Sequence, residues 1–178
     1  MAKELKCLYD DGEYLAGKST IIITSNNNGS NKSPFQLSFK YLTAILNSKL
    51  ISFWYRNNFR FSSLAGGYLT ISKDRVERIP IPPITDQNQP LVSKIESLVD
   101  QILAITKQKD YDPDSSAEET QKVKELESQI DELVYQLYGL KPDEIAIIES
   151  EIKSNNQNNN ENNKKKRNKK GEQEDYEA

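Results

Sequence analysis

The chain has 178 residues, a mass of 20.4 kDa and 35% hydrophobic content, enough for one modest core and an appendage. It has no histidine and one cysteine, Cys7, which excludes within the chain a Ser-His-Asp triad, a Cys-His pair, a His-ligated metal, a four-cysteine zinc site and an intramolecular disulfide. The net charge of −3 hides an asymmetry: residues 1–85 carry 11 Lys and Arg against 6 Asp and Glu, residues 86–152 carry 6 against 16, and residues 153–178 carry 7 against 5.

Local field rather than total charge steers a polyanion, so the first segment keeps nucleic acid open as a partner. Chance variation among surface residues is the alternative. No run approaches the roughly 18–20 apolar residues of a membrane span, and Met1–Leu5 has no apolar signal core. A soluble cytoplasmic protein without a membrane partner is expected.

In chain order, Leu5–Tyr9 and Tyr14–Leu15 flank the turn signal Asp10-Asp11-Gly12 and read as strands. Ser19–Thr24 is β-branched and short and reads as a buried strand. Asn26–Pro34 is a polar loop. One helix, capped at Ser38 or a neighbour, is expected to run to about Asn57, with Phe53 and Trp54 in the core. Residues 59–67 form a loop, Tyr68–Ile71 alternates like a strand, and Ser72 caps a short helix. Pro80, Pro82 and Pro83 force an extended backbone and mark a boundary between parts.

Beyond it, Leu91, Ile95, Leu98, Ile102 and Ile105 are spaced 4, 3, 4, 3, and Val123, Leu126, Ile130, Leu133 and Leu137 are spaced 3, 4, 3, 4. The polar turn around Asp112-Pro113 favours pairing of the two seams within the chain. Pairing with another chain is the alternative. Gly139 suits the end of the second helix, and Pro142 with Asp143 and Glu144 suits the start of a last one. From Lys153 the chain is polar and expected to be disordered; Lys164–Lys170 could touch phosphates or simply be solvated.

The fold class expected is therefore α+β. A small mixed domain (1–85) precedes an antiparallel coiled-coil-like helical hairpin with a short helix (86–152) and a polar, basic tail (153–178).

The ordered series Tyr41–Ile51, Gly66-Gly67-Tyr68-Leu69, Ile79–Ile84 and Glu127–Leu140 resembles the C-terminal specificity domain of TaqI-type adenine-N6 DNA methyltransferases, including fused type IIG restriction-modification enzymes. The resemblance covers about residues 5–152. It implies target recognition: the mixed domain would read bases in double-stranded DNA, and the hairpin would act as a spacer. A methyltransferase or restriction partner would flip and methylate adenine.

The chain lacks the glycine-rich cofactor loop and the Asn/Asp-Pro-Pro-aromatic motif of such enzymes. It is thus expected to be a specificity fragment or subunit, not catalytic by itself and holding no cofactor. S-adenosylmethionine belongs to the absent catalytic partner.

Lys32–Arg78 holds eight basic and two acidic residues. The expected DNA-binding residues are Arg56, Arg60, Ser62, Ser63 and Tyr68 around the loop after the central helix, with Lys73, Arg75 and Arg78 positioning the backbone. The alternative for each is an ordinary surface residue, and for Tyr68 a packing role. The alternative for the whole chain is a helical protein–protein adaptor without DNA binding.

Overall fold

The computed structural model describes residues 5–12, 17, 20–24, 38–59, 69–108, 111–114 and 116–155. They divide between two compact units, Met1–Leu140 and Lys141–Ala178. The first unit contains helices α1 (Phe39–Asn47), α2 (Lys49–Asn58), α3 (Lys73–Val76), α4 (Gln89–Thr106) and α5 (Ala117–Leu137). The second contains α6 (residues 142–155). Among the described residues there is no strand and no sheet, so the α+β class is corrected to an all-helical one.

The single helix expected over 38–57 is two helices, broken at Ser48. Ser48 has extended backbone angles and serves both ends. Its backbone N–H and its hydroxyl both donate to the Ile45 carbonyl, while its Oγ accepts the Ile51 N–H at 3.3 Å. A serine oxygen that accepts from the third residue of a helix is the usual N-terminal cap.

The first turn of α2 has a second acceptor. Asp131, on α5 and only 6% exposed, takes the Lys49 N–H on Oδ1 at 2.9 Å and lies 3.5 Å from the Lys49 ammonium through Oδ2. A carboxylate is favourable at the positive end of a helix. This one fastens α2 to α5 across 82 positions of sequence.

The expected strands fail for want of a ladder. Ile21, Ile22 and Ile23 are 37%, 66% and 41% exposed, not buried. High β-propensity reflects fit to a pleated, half-buried surface, and Thr20–Thr24 meets no such surface among the described residues. Leu5–Tyr9 is fastened differently. Cys7 donates its N–H to Asn47 Oδ1, and Asn47 Nδ2 donates to the Cys7 carbonyl, both at 2.8 Å, so one side-chain amide satisfies both backbone groups. Burial raises the Cys7 thiol, against a lowering by the Thr43 hydroxyl. Of the run Tyr68–Ile71, residues 69–71 are not a strand, and the Thr70 carbonyl is taken by side chains. Tyr14–Leu15 and Tyr68 lie outside the described residues.

Helices α4 and α5 pack on each other, so the two seams meet within the chain. The end of α5 returns to the segment that precedes α4, which makes the pair antiparallel. Seven of the ten seam residues are buried; Leu91, Ile102 and Leu137 are half-buried. Val92 and Val99 on α4, and Val134 and Tyr135 on α5, are buried as well, and α1 packs on α4 and α2 on α5. The apolar stripe is wider than a two-helix seam because each rod also faces a helix of the first half. The turn between them is closed by Ser116 N–H to the Asp112 carbonyl at 2.7 Å and Asp114 N–H to Asp112 Oδ1 at 3.1 Å.

At the far end of α5, Gly139 has φ +66°. Its N–H reaches the Gln136 carbonyl and the Leu140 N–H reaches the Tyr135 carbonyl, the paired bonds of a glycine-terminated helix.

The proline segment is neither helix nor strand, and the carbonyl of each of its three prolines accepts from a side chain. Tyr138 Oη donates to the Pro80 carbonyl at 2.6 Å, Tyr41 Oη to Pro82 at 3.0 Å, and Asn88 Nδ2 to Pro83 at 2.9 Å. Burial pushes the Tyr41 phenol up to about 12 and raises Tyr138 further. Tyr41 and Tyr55 are fully buried, whereas Phe53 and Trp54, expected in the core, are half-buried.

In the second unit, α6 starts at Pro142, where a missing N–H costs nothing, and the Glu144 carboxylate accepts the Lys141 N–H at 2.8 Å. The helix reaches residue 155; residues 156–178 lie outside the described residues. Among the described residues no helix is long and apolar enough to cross a membrane.

Asp131→Ala is expected to cost about 1.5–3 kcal/mol, as for loss of a charged hydrogen bond, with Asp131→Asn costing less because its amide oxygen still accepts. Urea unfolding measures both, and a midpoint for Asp131→Ala equal to wild type would count against the cap.

Tyr41 adds an alkaline dependence. A phenol whose folded pKa is raised contributes stability below its unfolded value near 10 and loses that contribution as pH climbs through about 12. Tyr41→Phe is expected to be less stable near neutrality by about 0.5–1.5 kcal/mol, yet to lose stability less steeply than wild type between pH 10 and 12. Parallel urea series at pH 8 and pH 11 check this.

Candidate nucleic-acid interface

The last turn of α2 meets the residues that lead into α3 and those of α3 itself, forming a small frame. Phe59 ends α2 as its C-cap. Its ring lies 4.9 Å from the Tyr55 ring and 5.9 Å from Trp54, edge-on to the latter. Such offset and edge contacts follow from the ring quadrupoles. Among the residues that lead into α3, the Thr70 carbonyl accepts the Tyr55 hydroxyl at 3.0 Å and Arg75 Nη1 at 2.7 Å. The Arg75 guanidinium also sits 5.2 Å from the centre of the Phe59 ring, a cation–π distance. Burial raises the Tyr55 phenol, and the nearby Arg75 charge opposes this.

The expected DNA-binding residues divide into three groups. Arg60, Ser62, Ser63 and Tyr68 lie outside the described residues. Arg56 is half-buried in the last turn of α2 and already has an interaction within the protein. Near the C-terminal end of that helix, Asn57 and Asn58 spend their side-chain amides on the Phe53 and Trp54 carbonyls at 3.0 and 2.9 Å.

The α3 residues form the third group. Lys73 is exposed and 3.6 Å from Glu77 one turn on, a pairing that water keeps weak. Arg78 is exposed just past α3. Arg75 is half-buried and held by Thr70 and Phe59. Lys73 and Arg78 are therefore at the surface, while the Arg75 side chain is held by Thr70 and Phe59.

A second cluster of cations is neutralised in place. A shallow cleft of about 330 Å³ is lined by Tyr9, Asp11, Lys40, Asp100, Leu103 and Lys107. Lys40 contacts Asp100 at 2.6 Å and Lys107 contacts Asp11 at 2.6 Å. The hydrogen bond to Asp100 raises the Lys40 ammonium, and the bond from Lys107 lowers the Asp11 carboxyl. These lysines serve to tie the N-terminal segment and α1 to α4.

Among the described residues, no group of His, Cys, Asp or Glu is arranged to hold a metal ion. Asn47, Tyr55, Asp131 and the framing role of Arg75 are not legible from spacing, because each acts on a residue that is remote or on a backbone carbonyl. Only Ser48, a capping residue between two apolar turns, carried a signal that would have split the long helix.

Comparison with known proteins finds no curated protein and no solved structure that matches the chain. A family model does match: residues 1–81 fit the TaqI-like C-terminal specificity domain. The fit spans α1, α2, α3 and the frame and stops within the proline segment, so α4, α5 and the Glu127–Leu140 run lie outside it. Residues 1–81, under half of the chain, are thus similar to the TaqI-like C-terminal specificity domain, a type of domain that recognises DNA in restriction–modification.

Proposed function

We propose that the chain directs adenine-N6 methylation by a companion catalytic domain to a particular DNA sequence, with α4 and α5 as the spacer between reader and catalyst. The observation that carries this reading is the family match over residues 1–81. Of the eight basic residues in Lys32–Arg78, the exposed Lys73 and Arg78 support it, because phosphate neutralisation dominates affinity for DNA.

In this reading Arg60, Ser62, Ser63 and Tyr68 contact the target from residues 60–68. Arg56, Lys73 and Arg78 hold phosphates. Arginine suits a guanine edge or a phosphate because its fork donates two parallel hydrogen bonds. The chemistry falls to a methyltransferase that binds S-adenosylmethionine and takes the adenine out of the stack, since the amino group is inaccessible within a duplex. The sequence lacks the cofactor loop and the Asn/Asp-Pro-Pro-aromatic motif that this step needs. We place the work in the cytoplasm, where such an enzyme meets DNA.

The test is titration of methylated and unmethylated duplexes over a salt series, with the chain alone and with an adenine methyltransferase partner. Arg60→Ala is expected to lose about 1–3 kcal/mol at one base position and to relax discrimination there. Absence of binding at low salt, with the partner present, would remove the DNA role and leave a helical adaptor.

A further inference from the structure

The run Glu127–Leu140 lies beyond the family match, yet one of its side chains holds a residue inside that match. Tyr138 ends α5 as its C-cap. Its own N–H and those of Gly139 and Leu140 return to the carbonyls of Val134, Gln136 and Tyr135, so the helix end fixes its backbone. From that anchor its hydroxyl donates to the Pro80 carbonyl at 2.6 Å. Burial raises the phenol, so it stays a donor well above neutrality.

Arg78 stands two residues before Pro80 and is exposed. The backbone between them is held at each step. The Arg78 N–H bonds the Arg75 carbonyl at 3.2 Å, the Ile79 N–H bonds the Val76 carbonyl at 3.1 Å, and Ile79 is 6% exposed. Proline has no N–H, so its carbonyl is the one backbone group through which Pro80 can be hydrogen-bonded. We propose that Tyr138 is a positioning residue for DNA binding: from the end of α5 it fixes the backbone from which Arg78 reaches a phosphate. This rests on the reading of Arg78 as a phosphate contact.

Arginine loses rotamer freedom when its fork settles on a phosphate. A backbone that must be ordered in the same event weakens binding further, and one already held does not. Phosphate contacts fix register on a duplex, so the place of the Arg78 backbone matters as well as its charge. Tyr138 does not donate to the phosphate itself, because a phenol has one proton to donate and the Pro80 carbonyl takes it.

A residue that acts through Arg78 has a signature that a merely structural residue lacks. Its loss weakens binding while Arg78 is present and does little more once Arg78 is gone. A general loss of stability weakens binding alike in both backgrounds.

The experiment uses the full chain as wild type, Tyr138→Phe, Arg78→Ala, Lys73→Ala, and Tyr138→Phe combined with each of the other two. Phenylalanine keeps the ring and removes only the hydroxyl. The first arm needs no DNA. Trypsin cleavage after Arg78 is timed by mass spectrometry against cleavage after Lys124 inside α5, which reports unfolding of the hairpin. Tyr138→Phe is expected to be cut about threefold faster after Arg78, with no change after Lys124. An unchanged rate after Arg78, or equal rises at both sites, overturns the anchor.

The second arm measures affinity for a mixed-sequence duplex over a salt series, with the methyltransferase partner present. Arg78→Ala is expected to lower the slope of log affinity against log salt by about 0.9, the share of one phosphate. Tyr138→Phe is expected to weaken binding about three- to tenfold in wild type and in Lys73→Ala, and less than about twofold in Arg78→Ala. No loss, or equal losses in all three backgrounds, overturns the proposal. An Arg78→Ala slope equal to wild type leaves no contact to position and overturns it too. If wild type binds no duplex at all, the phosphate role fails with the proposed function, while the trypsin arm separately decides whether Tyr138 holds Arg78 in place.

Discussion

One buried carboxylate joins the two halves of the first unit. Asp131 stands on α5, in a hairpin that is otherwise apolar on its inner side, and meets the first turn of α2 and the Lys49 ammonium. An isolated buried carboxylate would be costly, but this one is bonded to a helix N-terminus and paired with a cation. Because the geometry of a capped helix start is narrow, the contact fixes where α2 begins relative to α5. Where α2 begins determines where it ends, and it ends at Phe59. The placement of Phe59 thus depends on a residue 72 positions beyond it.

A second set of polar contacts works on the same principle. Tyr41, Tyr138 and Asn88 each supply a donor to a carbonyl of the proline segment. Proline cannot form a helix interior or a central strand, so those carbonyls need side-chain partners if they are to be held by the protein. The phenols supply them at the cost of burying hydroxyls, which is why Tyr41 and Tyr138 resist ionisation. Asn47 does the same for Cys7. At Leu5–Tyr9 the Asn47 amide takes bonds that a strand expected there would have made with a neighbouring backbone.

The charge asymmetry also changes meaning once placed. Some cations of the first half face acids of the second: Lys40 meets Asp100 and Lys49 meets Asp131. Opposite net charges on the two segments therefore partly reflect internal pairing as well as solvated surface. Lys73 and Arg78 stay exposed.

The sequence by itself determined what is local. The two heptad-spaced seams, the turn at Asp112-Pro113, the Ser38 cap, the glycine end at Gly139 and the proline start of α6 depend on residues within a few positions of one another, and all appear where their spacing places them, whereas Ser72 precedes α3 without a side-chain capping bond. The resemblance to a specificity domain rested on the order of such local pieces, and over residues 1–81 it is matched by a family model. Tertiary structure decided the rest. β-Branched runs become strands only if partner backbones lie alongside, and Ile21–Ile23 has none among the described residues. Arg75 reads as one more surface cation until Phe59 and Thr70 are brought to it, because the partners of a guanidinium are set by where the chain returns and not by its neighbours in sequence.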